Sequence, residues 1–425
     1  MKHTLTAFAV ALAGAAVWAQ QQPKKGPCDP GNGGLTLPTG FCASVAADNL
    51  GVARHMVVGP RGDLYVMLNA ERQGGGVVAL RDADGDGRFE RQDTFGAGLH
   101  GTGIGWRGDY LYVGADDKIV RYRMASGELI PSGQPEVIVD GFPQQRAHPT
   151  KPIAFGESGE MYVAVGAPSN ACQEPDRRPE VAGQKPCPLL DLHGGIWKYS
   201  ADQAGQKHAA DKRIATGIRH DVGITWNPAT HALYAVQNGR DSLDTLWPKR
   251  FTAEQNANLT GEELQRVKEG SNFGWPYCFF DLSQKKRVVA PEYGGDGKQE
   301  GDCAKYDRPV ATFPAHNAPL SVLFYSGSQF PAEFRAGAFV AFHGSWNRAP
   351  FPMDGYNVRF VPLKGDSPAG DDRVFASGFP GKARLMRPND ADHRPVGLAQ
   401  ARDGSILVSD DVKGRIWRIS YTGAR

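Results

Sequence analysis

The chain has 425 residues, of which 40% are hydrophobic, and a formal net charge of +2. This length and apolar content allow one large domain with a sizeable core, and the 53 glycines and 30 prolines favour short strands over helical bundles. The balanced charge gives no indication of a nucleic-acid partner and is compatible with a small anionic ligand. We therefore expect a globular all-β protein.

The first residues have the pattern of a cleaved secretory signal. A basic start is followed by an apolar run from Leu5 to Ala16 and a small-x-small ending at Ala19. A membrane anchor is the weaker alternative, because the run is shorter than the roughly 20 apolar residues that a spanning helix needs. We expect a signal peptide over residues 1–19, an extension over 20–36, and a periplasmic or secreted protein without a membrane span.

The six cysteines of such an exported chain predict disulfides. Pairing of sequence neighbours would join Cys28 with Cys42, Cys172 with Cys187, and Cys278 with Cys303, although six cysteines allow fifteen connectivities. No C-x-x-C or C-x-x-C-H motif occurs, which argues against a zinc ribbon and against attached haem.

A short apolar strand, usually introduced by glycine, recurs six times along the chain. The copies begin at Gly62, Gly108, Gly159, His231, Gly337 and Gly404. Several are followed by a basic strand, such as KIVRYR from Lys118 or RIWRIS from Arg415. Spacings from about 50 residues upward are typical of propeller blades. The pattern predicts one six-bladed β-propeller over residues 37–425 with long inter-strand insertions; a sandwich would explain the alternation but not the shared order of elements.

The largest insertion runs from Pro248 to Arg308. Its highly charged first part, TAEQNANLTGEELQRVKEG from Thr252, predicts a helix. We expect the whole insertion to cover one face of the propeller as a lid or rim.

A histidine, an arginine or both precede the innermost strand of every predicted blade. These residues are Arg54, His55, His100, His148, Arg219, His220, His316, His393 and Arg394. Innermost strands line the central axis of a propeller, so the basic groups are expected to converge at one mouth of the channel. Grouped cations repel one another unless an anion joins them. A single histidine here would more often be a solvated or capping residue, whereas the set predicts a functional site.

On these residues the chain resembles the soluble quinoprotein sugar dehydrogenases, in particular the L-sorbosone and aldose dehydrogenase group, which uses pyrroloquinoline quinone (PQQ). The likeness runs from about Leu37 to Ser420, and among its best segments are HPTKPIAFGESGEMYVAV, GIRHDVGITWNP, AFHGSWNR and HRPVGLAQ. The resemblance implies a six-bladed propeller and oxidation of an aldose, a sugar aldehyde or a related alcohol by hydride transfer to PQQ. The three carboxylates of PQQ would suit arginine forks at the mouth. Electrons would then leave to a separate carrier, a cytochrome or a quinone.

The resemblance also assigns roles to individual residues. His148 matches the general base, for which a neutral imidazole with a pKa near 7 is suited. Arg219 matches an arginine beside the quinone, Arg394 matches a cofactor-binding arginine, and Arg348 lies near a cofactor-binding lysine. Trp346 belongs to an aromatic segment that would stack on the quinone or a sugar, or pack within a lid.

The chain departs from the family pattern near the predicted site. His220 replaces an asparagine of the glucose-oxidising relatives, and Asp221 replaces a proline. Asp392 stands where those relatives have a second cofactor arginine, and Ala167 stands where an aspartate would orient the catalytic histidine. These changes argue against assuming glucose as the substrate.

Two segments predict calcium. The resemblance places an ion beside the cofactor in VQNGRDSLD, with the Gly239 carbonyl and the Asp244 carboxylate as ligands; a simple Asn/Gly/Asp turn is the alternative. The second segment has EF-hand-loop spacing, with Asp82, Asp84, Asp86 and a terminal Asp93 in place of the usual glutamate. An acidic hairpin turn without metal is its alternative.

Two other classes of function remain open from the sequence. One is a calcium-dependent propeller hydrolase of the lactonase type, in which a metal activates water. The other is a binding propeller without activity, since a fold does not determine a function. Arg219 and Arg394 favour the dehydrogenase, because a lactonase needs a carboxylate-lined metal cup. The sequence indicates no interface from which to infer an oligomeric state.

Overall fold

A computed structural model describes residues 28–423, and the predicted signal peptide lies outside this range. Six antiparallel sheets form the six predicted blades, and the innermost strand of each blade contacts that of the next. The innermost strand of blade 6 contacts that of blade 1, so the ring is closed. The all-β propeller prediction is confirmed.

The strands of each blade follow one another from the axis outward. Blade 1 has Ala53–Val58, Leu64–Arg72, Gly75–Arg81 and Arg91–Phe95; blade 2 has Gly101–Arg107, Tyr110–Ala115, Ile119–Arg123 and Glu136–Asp140; blade 3 has Ile153–Phe155, Glu160–Val165, Gly195–Ser200 and Arg213–Thr216. Blade 4 has Asp221–Asn227, Ala232–Gln237, Glu262–Val267 and Ala311–Phe313; blade 5 has Pro319–Phe324, Gly337–Phe342, Asn357–Lys364 and Arg373–Ala376; blade 6 has Pro395–Gln400, Ile406–Asp410, Ile416–Tyr421 and the N-terminal Phe41–Ala47.

Shorter elements extend these sheets. Gln206–Lys207 pairs with the outer strand of blade 2, Ser271–Asn272 with that of blade 3, and Ser367–Pro368 with the third strand of blade 5. Cys278–Asp281 and Lys286–Val289 form a separate hairpin, the α-helices are Leu243–Leu246 and Ala253–Leu259, and short 3-10 turns span Pro188–Asp191, Ala210–Lys212, Pro291–Tyr293, Gly301–Lys305, Ala332–Phe334 and Pro388–Asp390. Within residues 28–423, none of the helices is long and apolar enough to cross a membrane.

The N-terminal strand closes the ring from the outside. Phe41 pairs with Tyr421 across the outer edge of blade 6. Residues 28–36 also pack on the propeller, since Asp29 forms an ion pair with Arg88 at 2.7 Å and Thr36 bridges to Ser377. The part of the predicted extension that the structure describes is therefore attached to the fold. All three predicted disulfides are present.

The recurring aromatic residues of the repeat pack between blades. Ring centroids lie 5.5 Å apart for Tyr65 and Trp106, 4.8 Å for Tyr112 and Phe155, 6.0 Å for Tyr162 and Trp226, and 4.7 Å for Tyr234 and Phe324. In each pair the first ring belongs to the second strand of one blade and the other to the innermost strand of the next. The aromatic signal of the repeat thus reflects core packing.

The helix predicted from Thr252 to Gly270 is only partly present. Ala253–Leu259 is helical and begins with a capping box between Thr252 and Gln255. Glu262–Val267 is instead the third strand of blade 4. Two of the charges that suggested an exposed helix, Glu262 and Glu263, are buried, and Glu263 is paired with Arg287 at 2.5 Å. Tertiary pairing therefore overrides the local helical preference.

Candidate active site

His148 stands at the start of blade 3 in an unusual backbone conformation. Its φ of 54° lies in the left-handed region, which a residue with a side chain rarely adopts. Its Nδ1 lies 2.6 Å from the carbonyl oxygen of Ala167. Because a carbonyl only accepts, Nδ1 carries the proton and Nε2 keeps its lone pair. The backbone thus supplies the partner that was expected to be missing at Ala167.

The imidazole of His148 stacks on that of His220. The ring centroids are 4.0 Å apart and the interplanar angle is 19°. Gly166 makes the stack possible, because a Cβ there would come within 2.7 Å of the His148 Cβ and 3.0 Å of the His220 Nδ1. His220 therefore belongs to the same site as His148.

The pKa of His148 differs from the value near 7 expected from the sequence. Burial, together with the positive charge of Arg219, lowers it to about 3. Burial and the neighbouring His148 also hold the pKa of His220 well below its usual range. Both rings are consequently neutral at working pH.

Arg219 is buried and forms an ion pair that was not recognised in the sequence. Its Nη2 donates to the Asp241 carboxylate at 2.5 Å, and Arg177 and Asn347 donate to the same carboxylate at 2.8 and 2.7 Å. The Nδ1 of His316 lies 3.7 Å from it. Burial alone would raise the pKa of Asp241, but Arg219, His316 and Arg177 together hold it well below its usual range. Asp241 thus joins side chains from four separate segments.

Arg394 belongs to a second basic group. Its Nε donates to the His343 carbonyl at 3.0 Å, and its guanidinium lies 5.4 Å from the centre of the Tyr356 ring. Asp411 forms ion pairs with Arg54 at 2.8 Å and with His343 at 2.9 Å. Burial is the main cause of the lowered pKa values of His343 and Arg394, and the charge of Arg54 adds to it. Of these residues, His343 and Asp411 were not recognised in the sequence.

Not every basic group that precedes an innermost strand reaches this site. His100 is exposed and pairs with Asp116 at 3.2 Å. His393 pairs with the buried Asp410 at 2.9 Å, and His55 donates to the Leu320 carbonyl at 2.7 Å. These three histidines have structural partners. The exposed pairing of His100 argues against a place in the site, whereas blades 1 and 6 are represented there by Arg54 and Arg394.

Several buried polar atoms around the site have no hydrogen-bond partner among the described residues. They are the Nε of Arg219, the Nδ1 of His220, both amide atoms of Asn317 and the Oδ1 of Asn347. Buried polar groups are ordinarily satisfied. Together with Arg54 and Arg394, these donors and acceptors fit a polar anionic ligand.

Trp346 and Arg348 flank Asn347 but differ in their surroundings. The indole of Trp346 is 53% exposed and free to stack on a ligand. Arg348 donates to the carbonyls of Ala257 at 2.6 Å and Pro352 at 3.1 Å. Its guanidinium is thus engaged by backbone carbonyls, and its role in cofactor binding stays a prediction from the sequence.

Two other departures from the family pattern have different environments. Asp392 is half-exposed and lies 3.5 Å from Lys413. Asp221 is buried, and neither carboxylate oxygen has a partner among the described residues. Burial, with Glu263 nearby, raises the pKa of Asp221 well above its usual value.

The Gly239 carbonyl and the Asp244 carboxylate have different hydrogen-bond partners. The Gly239 carbonyl accepts from Arg219 at 2.9 Å, whereas the Asp244 carboxylate accepts from the Thr245 amide at 2.8 Å. The acid that faces the site is Asp241, three residues earlier. Calcium binding by Gly239 and Asp244 stays a prediction from the sequence.

The acidic loop after blade 1's third strand does bring carboxylates together. One oxygen each from Asp82, Asp84, Asp86 and Glu90 lie within 4.8 Å of one another. Asp93, the predicted terminal ligand, is outside this group. It lies on a strand, with its carboxylate 3.1 Å from the Nε of Arg91. Glu90 takes its place because the strand directs Asp93 away from the loop.

The sequence pattern of the TrAA12-like family matches residues 35–422. The chain belongs to the TrAA12-like family. This agrees with the prediction of a soluble PQQ-dependent sugar dehydrogenase family, which is confirmed at that level.

Curated relatives of this TrAA12-like chain are moderately similar. A protein of Borreliella burgdorferi described as uncharacterized is 31% identical over 217 residues, which cover 51% of this chain and 50% of that protein. A "Pyrroloquinoline quinone-dependent pyranose dehydrogenase" of Coprinopsis cinerea is 26% identical over 48% of this chain and 31% of its own length. A "Pyrroloquinoline quinone-dependent sugar dehydrogenase" of Hypocrea jecorina is 22% identical over 81% of this chain and 82% of its own. The chain thus spans half or less of the first two relatives.

Solved structures share the fold of this TrAA12-like protein. The holo PQQ domain of the Coprinopsis cinerea pyranose dehydrogenase has a TM-score of 0.72 at 19% identity, with coverage of 91% of this chain and 97% of that one. A calcium structure of a Trichoderma reesei enzyme of carbohydrate-active family AA12 has a TM-score of 0.74 at 20% identity, with the same coverages. At these identities the likeness establishes the propeller architecture alone.

Proposed function

We propose that this protein is a PQQ-dependent dehydrogenase that oxidises an aldose or a sugar aldehyde, with His148 as general base. The observation that carries the proposal is a neutral imidazole whose Nε2 is free to accept a proton, set beside the buried Arg219. The names of the Coprinopsis and Hypocrea relatives support the same class of reaction. A sorbosone-like substrate stays a prediction from the sequence.

The cofactor would be held by the basic residues of the site. Arg219, Arg394 and Arg54 offer guanidinium groups to carboxylates, and the unpartnered Asn317 amide offers both a donor and an acceptor. The indole of Trp346 offers an exposed face to a planar ring or a sugar. An anion carrying several carboxylates fits this set of residues.

PQQ, when bound, supplies the quinone that accepts hydride from the substrate carbon. The role of His148 is to take the proton of the substrate hydroxyl on Nε2, while its Nδ1–H stays on the Ala167 carbonyl. The Asp241 carboxylate favours the resulting imidazolium, whereas Arg219 opposes it. Carboxylates bound to Arg219 would offset that opposition and raise the pKa of His148 toward the working range. The site therefore gains basicity when it is filled.

Calcium has no assigned step in this proposal, because the Gly239 carbonyl and the Asp244 carboxylate have different partners and calcium binding by them stays a prediction. The acidic loop at Asp82 belongs to blade 1. Calcium binding by this loop, in a structural role, stays a prediction. We further propose that the protein is exported after cleavage near Gln20. Because the sequence has no C-x-x-C-H motif, we also propose that a separate electron carrier reoxidises the cofactor.

The test is a titration of purified apo-protein with PQQ, followed by dye reduction with a panel of pyranoses, other aldoses and sugar aldehydes. Saturable PQQ binding with turnover of at least one of these sugars supports the proposal. Absence of PQQ binding, with and without added calcium, overturns it. PQQ binding without turnover of any sugar or aldehyde overturns the assigned substrate class.

A further inference from the structure

The backbone around His148 is held by the side chain of Gln145. Its Nε2 lies 2.9 Å from the Ala147 carbonyl and 2.7 Å from the His148 carbonyl. The same nitrogen lies 3.0 Å from the carbonyl of Gly166, the residue before Ala167. Gln145 thus connects the segment that carries the imidazole to the segment that orients it.

A buried lysine holds the next part of the same segment. Lys151 is completely buried, and its ammonium donates to the Pro149 carbonyl. The Nζ also lies 5.6 Å from the centre of the Phe142 ring. The carbonyl of Lys151 itself fits against Gly103 and Gly114, where a Cβ would come within 2.1 and 2.2 Å of it. Lysine is almost never buried without a compensating interaction.

The conformation of His148 needs such support. A left-handed φ at a residue with a side chain persists only where the surrounding structure holds it. Gln145 and Lys151 together satisfy the carbonyls of residues 147–149, which leaves little freedom for this turn.

We propose that Lys151 is a positioning residue that acts with Gln145 to hold residues 147–149, so that His148 keeps its Nδ1 on the Ala167 carbonyl. The inference rests on the proposed role of His148 as the base. It goes further in assigning a catalytic consequence to a lysine that touches neither substrate nor cofactor.

The charges around Lys151 make this support dependent on pH. Asp116 and Asp117 of blade 2 face it, as do His193 and His208 of blade 3, and His100 pairs with Asp116. Burial lowers the pKa of Lys151 to about 8, and the two aspartates limit the decrease. Above that pH the ammonium becomes an amine, whose hydrogen bond to a carbonyl is weaker than that of a cation. Turnover should therefore decline as pH rises past 8.

The test compares the PQQ-loaded wild type with Lys151→Met, and uses Lys198→Met as the control. Lys198 lies in the same blade, is partly exposed and pairs with Glu269. We expect Lys151→Met to bind PQQ as the wild type does, with kcat lower by about 100-fold and KM little changed, because small displacements of a catalytic group have effects of that size. The decline of kcat near pH 8 should be absent in Lys151→Met and present in the control.

A second measurement does not depend on activity. The 15N NMR spectrum of the His148 imidazole in apo-protein should show a protonated Nδ1 in the wild type and lose that signature in Lys151→Met. If Lys151→Met does not fold, Gln145→Met removes the other half of the support at a half-buried position and should change the same signal. A folded variant that keeps both the wild-type kcat and the His148 tautomer overturns the inference. Failure of the wild type to bind PQQ or oxidise sugars overturns the proposed function instead, and the NMR result still decides the positioning role.

Discussion

The imidazoles of His148 and His220 stack with centroids 4.0 Å apart, so each ring contributes to the burial of the other. His148 comes from the start of blade 3 and His220 from the start of blade 4. The interaction therefore depends on the close approach of two blades, which Gly166 permits. It keeps the predicted base neutral and limits its motion.

Replacing His220 by asparagine should expose His148 to water and raise its pKa from about 3 toward its usual value, because burial is the main cause of the lowering. We expect the acid limb of kcat/KM to move upward by about one pH unit or more. A pH–rate profile of the PQQ-loaded variant measures this shift. His231→Asn, at an exposed histidine of the same blade, is the control. An unchanged acid limb would mean that His220 does not set the protonation of His148.

Asp241→Asn should destabilise the fold, because it leaves Arg219 buried without its anion. Breaking a buried ion pair in this way costs about 3–5 kcal/mol. The lowered pKa of Asp241 stabilises the folded state above pH 4, and this contribution is lost as the pH falls below 4. The free energy of unfolding of Asp241→Asn should therefore lack this loss in acid. Urea unfolding between pH 2 and 7 measures both effects.

Asp244→Asn is the matched control for that experiment. Asp244 is partly exposed, and within residues 28–423 its carboxylate accepts a hydrogen bond only from the Thr245 amide, so its replacement should cost less than about 1 kcal/mol. Equal destabilisation by the two substitutions would contradict the assignment of Asp241 as the anion of the site.

Asp221→Asn should stabilise the protein near neutral pH. The folded pKa of Asp221 is raised by burial, so folding keeps a proton that the unfolded chain releases above pH 4. The contribution of Asp221 to the free energy of unfolding is therefore fully present below pH 4. Above pH 4 it declines by about 1.4 kcal/mol per pH unit until the folded pKa is reached. The variant should remove that decline in thermal unfolding scans from pH 4 to 8. Lower stability of Asp221→Asn than of wild type would indicate a bound cation or an ionised partner instead.

Calcium should raise the melting temperature through the loop of Asp82, Asp84 and Asp86. A ligand at 100 times its Kd stabilises a protein by about 2.7 kcal/mol. Glu90→Gln should reduce this shift, whereas Asp93→Asn should leave it unchanged, because Asp93 lies outside the carboxylate group. Melting curves of the wild type and of both variants, with calcium and with a chelator, measure this shift. A loss of the shift in Asp93→Asn alone would restore the ligand set expected from the sequence.

The six-fold sequence repeat is the feature that predicts the propeller fold. Each copy of the apolar strand has to pack against the next blade, and that requirement leaves a recurring aromatic residue, as in Tyr65 and Trp106. Adjacent cysteines were also paired correctly. The sequence does not predict the third strand of blade 4, because its glutamates are of a type usually exposed to solvent. Glu263 is instead paired with Arg287, which follows it by more than 20 residues.

The site was accessible only in part, for a related reason. His148, Arg219 and Arg394 precede strands in matching positions, which is a local signal. Asp241 and Asp411 carry no such signal, since each is defined by cations that lie far away in the sequence. The partner of His148 is a backbone carbonyl, and no side chain at Ala167 could have revealed it. Side chains paired across blades therefore mark the limit of what this sequence predicts.

The proposed function depends most on the neutral His148 acting as the base beside bound PQQ. The most direct test measures the rate at which bound PQQ is reduced in a single turnover. Sugar is added to PQQ-loaded wild type and His148→Ala in the absence of an electron-accepting dye. We expect His148→Ala to bind PQQ with unchanged affinity while reduction of the bound PQQ slows by at least about 100-fold, the range of general-base catalysis. Reduction at the wild-type rate in PQQ-loaded His148→Ala would contradict it.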